Sequence, residues 1–282
     1  MPEINWYPGH MAKTRRLLEE QLRAVDAVVE LCDARAPMAT RNPDLAALCR
    51  NKPRFLALNK ADLADEAATK QWIDRFREEG VPAVRFQATG NGGRREMVSL
   101  VEKAARPAVE RMKARGAMKT ARVMVVGIPN VGKSTFVNRL RGAGIAKAGD
   151  RPGVTRASQW VKIGPYLELL DTPGMLWPKL ADQRQARTLA FLGSVKDEIL
   201  DTEGLACELM ETLAQLAPEA LRTRCKLPED IAAMKGPELL EAACRGRGWL
   251  LSGGRFDTER AAALVLDEFR GGKIGRVTLE LP

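Results

Sequence analysis

The order of two short motifs constrains the fold of this chain more than any other feature. The sequence Asn-Lys-Ala-Asp at residues 59–62 comes before the sequence Gly-Ile-Pro-Asn-Val-Gly-Lys-Ser at residues 127–134. The second has the form of a P-loop, whose backbone N–H groups cradle phosphates. The first has the N-K-x-D form that reads a guanine base. In an ordinary guanine-nucleotide domain the phosphate loop comes first, so this order indicates a circular permutation.

Composition excludes several other classes of protein. The chain has 282 residues and no apolar run approaching a membrane span of roughly 20 residues. Its beginning lacks a basic flank followed by an apolar core, so we expect no signal peptide. The five cysteines are scattered, without a C-x-x-C pair or a Cys/His cluster. We therefore expect no zinc site, no membrane association and a reducing, cytoplasmic location.

Positive charge is concentrated in the first part of the chain. The net charge is +9 overall, yet residues 1–181 hold 31 Lys and Arg against 19 Asp and Glu, a net charge of +12. Residues 182–282 hold 14 against 17, a net charge of −3. A single nucleotide does not need this excess, which favours a nucleic-acid partner over a merely solvated surface. The basic stretch 103–122 is either an RNA contact or a solvated helix face.

Hydrophobic patterning predicts an α/β domain followed by a helical one. Strands are predicted over residues 27–31, 54–58, 81–86, 122–126, 159–163 and 167–170. Helices are predicted over residues 12–25, 70–79 and 95–115 and from residue 133 onwards, with residues 37–43 as a loop. This alternation indicates a mostly parallel sheet covered on both faces, in a domain spanning residues 1–178. A smaller domain, residues 179–282, is predicted to have helices over 183–200, 204–216, 237–245 and 257–270 and a short strand near 276–280.

The P-loop follows a predicted strand and opens a helix, which is the context that the motif requires. Gly127 and Gly132 let the backbone turn its N–H groups towards phosphate oxygens. Lys133 is expected to reach the β- and γ-phosphates, and the Ser134 hydroxyl to bind Mg²⁺. Thr135, in the first turn of the helix, is expected to bond the α-phosphate. The loop residues Asn130 and Val131 complete this set.

Two further segments complete a phosphate and magnesium site. Residues 171–174 have the D-x-x-G form, in which Asp171 holds a Mg²⁺-bound water and the Gly174 N–H senses the γ-phosphate. Residues 151–155 form a loop between this motif and the P-loop, in the position of a switch I segment. Its Thr155 is expected to complete the Mg²⁺ coordination when GTP is bound.

The base reader is predicted to select guanine over adenine. Asp62 accepts from the N1–H and N2 amine of guanine, and Lys60 packs its stem on the base. Asn59 either bonds the O6/N7 edge or braces the P-loop. Adenine lacks this donor pattern and would leave a buried carboxylate unpaired. After the next strand, Gln87 and Ala88 occupy the last base-contacting motif, where the Ala88 N–H can meet O6.

Taken together, these segments resemble the RbgA/YlqF family of circularly permuted GTPases. The resemblance rests on W-Y-P-G-H-M-A-K at the beginning of the chain, I-P-N-V-G-K-S, D-R-P-G-V-T and D-T-P-G-M-L-W-P. It implies a Ras-like GTPase core, a helical RNA-binding domain and hydrolysis of GTP to GDP stimulated by the ribosomal subunit. It also implies a role in late maturation of the 50S subunit, with release after hydrolysis. The expected partners are rRNA and ribosomal proteins, and we expect a monomer.

Two residues carry expectations about catalysis. Many GTPases orient water with a Gln after D-x-x-G, where this chain has Met175. The family resemblance assigns that role to His10, the single histidine, so the expected catalytic set is His10, Lys133 and Thr155. The alternative for His10 is stacking on a nearby aromatic ring or contact with RNA. Asn130 is expected to bind a K⁺ ion beside the phosphates, or else simply to cap the loop.

Other functions remain open on the residues alone. The missing Gln favours a GTP-dependent rRNA-binding scaffold with negligible catalysis, whereas the lone histidine favours an enzyme. A permuted GTPase of the small subunit would carry a zinc-binding tail and an N-terminal barrel, and neither is visible. A nucleotide kinase would leave the N-K-x-D motif unexplained.

Overall fold

The computed structural model describes residues 9–49, 52–90, 92–116, 120–142, 158–164, 166–174, 182–195 and 201–282. These residues divide into two compact units. The first unit holds residues 9–174 together with residues 280–282. The second holds residues 182–279.

The first unit is built on a six-stranded sheet. Its strands are β1 (Ala27–Asp33), β2 (Arg54–Asn59), β3 (Ala83–Arg85), β4 (Ala121–Gly127), β5 (Gln159–Gly164) and β6 (Leu167–Asp171). Their spatial order is β3-β2-β1-β4-β6-β5. All neighbours are parallel except the β5–β6 hairpin, which is antiparallel. The predicted mostly parallel sheet is therefore confirmed, and β1 and β4 join its two halves at the centre.

Helices cover the sheet on both faces. They are α1 (Gly9–Arg23), α2 (Pro37–Thr40), α3 (Leu45–Leu48), α4 (Glu66–Glu78), α5 (Arg94–Ala114) and α6 (Lys133–Arg141). All seven residues of β1 are buried, as expected for a central strand covered on both sides. Leu18 and Leu22 of α1 pack against Val28 and Met124, whereas Trp72 and Phe76 of α4 pack on β2. The loop predicted over residues 37–43 contains the short helix α2, which Pro37 begins.

Glycine and capping residues fix the ends of α4. Asp65 caps its beginning by accepting a hydrogen bond from the Ala68 N–H at 2.8 Å. Gly80, at a φ of +75°, ends it, and the Val81 N–H donates to the Phe76 carbonyl at 2.9 Å. The helix was predicted to end at this glycine, and it does.

The second unit is helical in its described part. It contains α7 (Gln183–Phe191), α8 (Thr202–Leu216), α9 (Pro218–Cys225), α10 (Gly236–Arg247) and α11 (Thr258–Arg270). Helix α8 contacts each of the others and buries Leu205, Leu209 and Leu213. Residues 183–200 were predicted as one helix, but α7 ends at Phe191 because Gly193, at a φ of +71°, turns the chain. Helix α9 was not predicted.

The strand predicted near residues 276–280 is wrong. Residues 271–282 form no ladder with any described strand. Glu280 instead packs in the first unit, where its carboxylate accepts from the Met38 and Ala39 N–H groups at 2.8 and 2.9 Å. The indole N–H of Trp72 donates to the Glu280 carbonyl at 2.8 Å. Side-chain and carbonyl hydrogen bonds, rather than strand pairing, therefore hold Glu280 in place.

Candidate functional site

The predicted motifs lie at the carboxyl ends of neighbouring parallel strands. Residue Asn59 ends β2, Gly127 ends β4 and Asp171 ends β6. In an open parallel sheet such ends form the crevice where ligands bind. The chain's two separated motifs are therefore brought to one edge of the sheet, with only β1 between β2 and β4.

Glycines allow the P-loop to pass very close to its surroundings. A Cβ on Gly127 would lie 2.8 Å from the Leu31 carbonyl oxygen. Gly132 has a φ of +97°, and a Cβ there would lie 2.6 Å from the side-chain nitrogen of Asn59. Asn130 also adopts a left-handed φ of 57°. The helix α6 begins directly after Gly132 without a side-chain cap, which leaves its first N–H groups to an anion.

Lys133 folds back onto the loop that it follows. Its ammonium donates to the Gly127 and Ile128 carbonyls at 2.9 and 2.8 Å. Burial lowers the pKa of Lys133 to about 8, although the charge of Asp171 opposes the shift. An arriving phosphate would stabilise the charged form, so this lysine is suited to phosphate binding. Ser134 and Thr135 are half-buried in the first turn of α6.

The D-x-x-G segment lies against the P-loop. Asp171 is buried at the end of β6. The Thr172 hydroxyl donates to the Val125 carbonyl on β4 at 2.7 Å. A Cβ on Gly174 would lie 2.8 Å from the Cα of Pro129 and 3.1 Å from the ammonium of Lys133. The segment predicted to sense the γ-phosphate is thus beside the lysine predicted to bind it.

The base reader is tied directly to the P-loop. The Asn59 amide donates to the Val131 carbonyl at 2.8 Å, and its oxygen accepts from the Ala88 N–H at 3.0 Å. Of the two roles considered for Asn59, the structure shows the hydrogen bond to the P-loop. The Lys60 ammonium donates to the Asn130 carbonyl at 3.0 Å. These bonds hold the two loops in register.

The remaining predicted base contacts lie nearby. The Ala88 N–H, expected to meet guanine O6, is used by Asn59. Gln87 lies in the same loop, where Gly90 passes so close that a Cβ would lie 2.5 Å from the Gln87 side chain. Asp62 is half-buried in the turn after β2.

Three residues named in the sequence analysis lie wholly or partly outside the described part of the structure. Thr155 and Met175 lie outside the described residues. His10 lies in the first turn of α1, but its side chain is likewise outside the description.

Sequence reasoning missed an acid and its partner at this edge. Asp33 ends β1, and both Asp33 and Arg35 are buried. The Arg35 guanidinium donates to both Asp33 oxygens, at 2.9 and 2.8 Å. The Lys60 ammonium lies 3.1 Å from Asp33 Oδ2. The sequence feature that could have predicted this pair is Asp-Ala-Arg at residues 33–35, at the end of a buried strand.

A phosphate loop braced against a guanine-specific segment defines the class: this is a guanine-nucleotide-binding P-loop protein. A family profile described as "50S ribosome-binding GTPase" matches residues 122–222. Ribosome biogenesis GTPase A of Bacillus cereus is 45% identical over 99% of this chain and 94% of its own length. The Thermotoga maritima protein of the same name is 33% identical over 99% of this chain and 95% of its own length.

Solved structures agree with these relatives. A GDP-bound YlqF structure is 30% identical, with a TM-score of 0.67, and the match covers 95% of this chain and 99% of that one. YlqF from T. maritima bound to GNP is 30% identical, with a TM-score of 0.65, over 96% and 98% of the two chains. The chain belongs to the ribosome biogenesis GTPase A family, the RbgA/YlqF family, and it is a GTPase. No helix in the described part of the chain is long and apolar enough to cross a membrane.

Proposed function

We propose that this GTPase acts in late maturation of the large ribosomal subunit and leaves the subunit after hydrolysing GTP. The main support is a nucleotide site in which the base reader is hydrogen-bonded to the P-loop. It occurs in a chain that matches ribosome biogenesis GTPases along 99% of its length. The description of the matching profile favours the 50S subunit.

GTP turnover in KCl, measured alone and with purified 50S or 30S subunits, tests this proposal. We expect strong stimulation by 50S subunits only. Stimulation by 30S subunits would instead indicate that the protein acts on the small subunit. GTP binding without stimulation by either particle would contradict a ribosome-activated enzyme and favour an rRNA-binding scaffold.

The residues present suit a Mg²⁺ ion beside the phosphates. Asp171 is a buried carboxylate at the loop edge, and the Ser134 hydroxyl lies in the first turn of α6. In this assignment Ser134 and Thr155 would bind the ion directly, and Asp171 would bind it through water. When bound, Mg²⁺ would neutralise charge on the β- and γ-phosphates. Lys133 would supply the second positive charge there.

We assign K⁺ to the side chain of Asn130. The left-handed backbone of this residue places it at the turn of the P-loop, and the Lys60 ammonium already occupies its carbonyl. In this assignment the side-chain oxygen of Asn130 would be a ligand, and the cation would add positive charge where negative charge develops. Equal turnover in NaCl and KCl would contradict this assignment.

We assign the orientation of the attacking water to His10, in α1. An unperturbed histidine pKa near ~6.5 suits this role close to neutral pH. We expect His10→Ala to retain GTP binding and to lose most of the 50S-stimulated turnover. Turnover at the level of the unaltered protein would rule out this role.

Helix α5 carries a group of exposed cations in the first unit that we propose contact rRNA. Five cations between the middle of the helix and the residue just after it are exposed, and no described carboxylate lies within ion-pair distance of them: Lys103, Arg106, Arg111, Lys113 and Arg115. Unpaired exposed cations are the kind of group that contacts a phosphate backbone. The concentration of positive charge in residues 1–181 is thereby partly placed on one helix.

A cavity beside α5 adds a place for an unstacked base. It has a volume of about 280 Å³ and lies between α5 and the β5–β6 turn. Tyr166, which is 61% exposed, and Arg106 both line it. Single-stranded RNA is commonly bound by stacking a base on an aromatic ring while cations meet its phosphates. This combination favours a single-stranded rRNA segment as the ligand of the face.

The second unit is proposed to contact rRNA as well. A cavity of about 630 Å³ there is lined by cations from α9, α10 and the segment after α11: Arg224, Lys226, Arg247 and Lys273. The positive charge is reduced because Arg224 and Arg247 also pair with Glu268, and because the carboxylate of Glu219 lines the same cavity. We therefore expect this contact to be weaker than that of α5.

Salt dependence of binding to 50S subunits tests the α5 contact. Neutralising Arg106 and Lys113, which are two helical turns apart on the same side of α5, with Gln should weaken binding and reduce the slope of log affinity against log salt by about 1.5. The matched control neutralises Arg23 and Lys70, which are exposed cations on other helices of the same unit. An unchanged slope in the α5 variant, or an equal change in the control, would contradict this location.

A further inference from the structure

A buried charge cluster links β1 to both nucleotide motifs. Asp33 is 2% exposed and Arg35 is 1% exposed. Besides its two side-chain bonds, Arg35 donates its backbone N–H to Asp33 Oδ1 at 3.1 Å. The Asp33 N–H donates to the Thr40 hydroxyl at 3.0 Å, which fixes the backbone as well. Asp33 therefore has a defined orientation that does not depend on the P-loop.

Lys60 connects this cluster to the phosphate loop. Its ammonium lies 3.1 Å from Asp33 Oδ2 and 3.0 Å from the Asn130 carbonyl oxygen. Lys60 itself has a left-handed φ of 57°, so its backbone adopts a conformation that is costly for a side-chain-bearing residue. A strained residue held by two specific bonds is characteristic of a position set for function.

The cluster remains charged in spite of its burial. Burial alone would raise the pKa of Asp33, but the Arg35 and Lys60 charges outweigh it and hold the pKa well below its usual range. Asp33 is therefore a carboxylate at every pH at which the protein works. Because Arg35 already balances its charge, the bond to Lys60 does not serve to neutralise Asp33. Its effect is on the direction in which the Lys60 ammonium points.

We propose that Asp33 is a positioning residue for guanine-nucleotide binding, which holds the Lys60 ammonium on the Asn130 carbonyl and so presets the P-loop against the base reader. Asn59, the neighbour of Asp33 in the β1–β2 ladder, makes the other tie through its side-chain amide to the Val131 carbonyl, and the Asp33 carboxylate takes no part in that bond. Presetting a site reduces the ordering that a ligand must impose. Since the tie concerns the loops and not the γ-phosphate, it acts on GDP and GTP alike.

Equilibrium titration with a fluorescent GDP tests the proposal in a solution that contains no ribosomal particle. A wrong assignment of the ribosomal partner therefore cannot affect the result. Asp33→Asn should weaken GDP and GTP by a similar factor of about 10, the scale of one charge-assisted hydrogen bond. Turnover at saturating GTP should change by less than about twofold, since the lost interaction is equal in ground and transition states.

Testing Asp33→Asn in a Lys60→Met variant distinguishes positioning of the Lys60 ammonium from a general loss of stability. Lys60→Met keeps the aliphatic stem and removes the ammonium, so Asp33→Asn should weaken GDP no further in that background. The double variant Asp33→Asn, Arg35→Met removes both buried charges, so it folds without an unpaired guanidinium. It should show the same loss of affinity as Asp33→Asn alone.

Glu30 provides the matched control. It is another fully buried carboxylate on β1, and its partners are Arg54 at 3.6 Å and the Asn42 N–H at 2.6 Å. Glu30→Gln should reduce stability and leave GDP affinity unchanged. The proposal is overturned if Asp33→Asn binds GDP normally, if Glu30→Gln weakens GDP equally, or if the Asp33 effect persists in full beside Lys60→Met.

Discussion

Replacing Gly132 by Ala tests whether contact between the two motifs holds the site together. The new Cβ would lie 2.6 Å from the Asn59 amide nitrogen, so this buried side chain must move. Its movement breaks the bonds to Val131 and Ala88. Each lost bond costs about 1 kcal/mol, and the left-handed backbone adds about 1 kcal/mol for Ala. We therefore expect about 3 kcal/mol of lost stability in the first unit.

Gly80→Ala is the matched control. Gly80, which ends α4 in the same unit, also has a positive φ, of +75°, and an added Cβ there would have no heavy atom of the described residues within 4 Å. This variant therefore measures backbone strain alone, about 1 kcal/mol. The difference of about 2 kcal/mol between the two variants is the contribution of Asn59.

Urea unfolding and GDP titration of the two variants provide the measurements. The unfolding curves give the free-energy difference, provided that the m-values agree. GDP affinity should fall by at least about tenfold in Gly132→Ala and stay within about twofold in Gly80→Ala. If both variants lose the same stability and bind GDP equally, the brace made by Asn59 does not stabilise the site.

Three further outcomes are expected. GDP affinity should fall as the pH rises through about 8. Burial lowers the pKa of Lys133 to about 8 in the nucleotide-free protein, and phosphate binds the charged form of this lysine. Titrations with GDP at several pH values measure the affinity. Glu268→Gln should cost the second unit about 1 kcal/mol, since the bond to Arg224 is partly exposed. The hydrogen bonds from Arg224 and Arg247 hold the pKa of Glu268 below its usual value of 4.5. The stability that the ionised Glu268 contributes is therefore fully present above pH 4.5 and is lost as the pH falls through the lowered pKa, which urea unfolding at several pH values measures. Removing residues 280–282 should cost the first unit about 1–2 kcal/mol, because the Trp72 indole N–H loses the Glu280 carbonyl; thermal unfolding reports this loss.

Patterns within the chain predicted much of the sheet and the phosphate loop. The apolar run 27–31 predicted β1, and the P-loop predicted where β4 ends and α6 begins. Both are local signals, since a buried strand and a Gly-rich turn each have a characteristic composition. Parallel pairing then followed from the alternation of strands and helices.

Features that depend on distant contacts were missed. The cluster of Asp33, Arg35 and Lys60 requires β1 and β2 to be neighbours, which residue spacing does not reveal. The alternation over residues 276–280 has the period of a strand, but no described strand pairs with it. Helix α9, which begins at Pro218 directly after α8, was not predicted, although proline is favoured at the first helical position.

The last contacts of the first unit have a consequence for its biosynthesis. Glu280 completes the hydrogen bonding of Trp72 and of the Met38 and Ala39 backbone, yet it is translated after all five described helices of the second unit. A nascent chain that has emerged only as far as residue 174 already carries the P-loop and the base reader. It lacks the residue that satisfies these groups, so the first unit can complete this hydrogen bonding only after Glu280 has been translated.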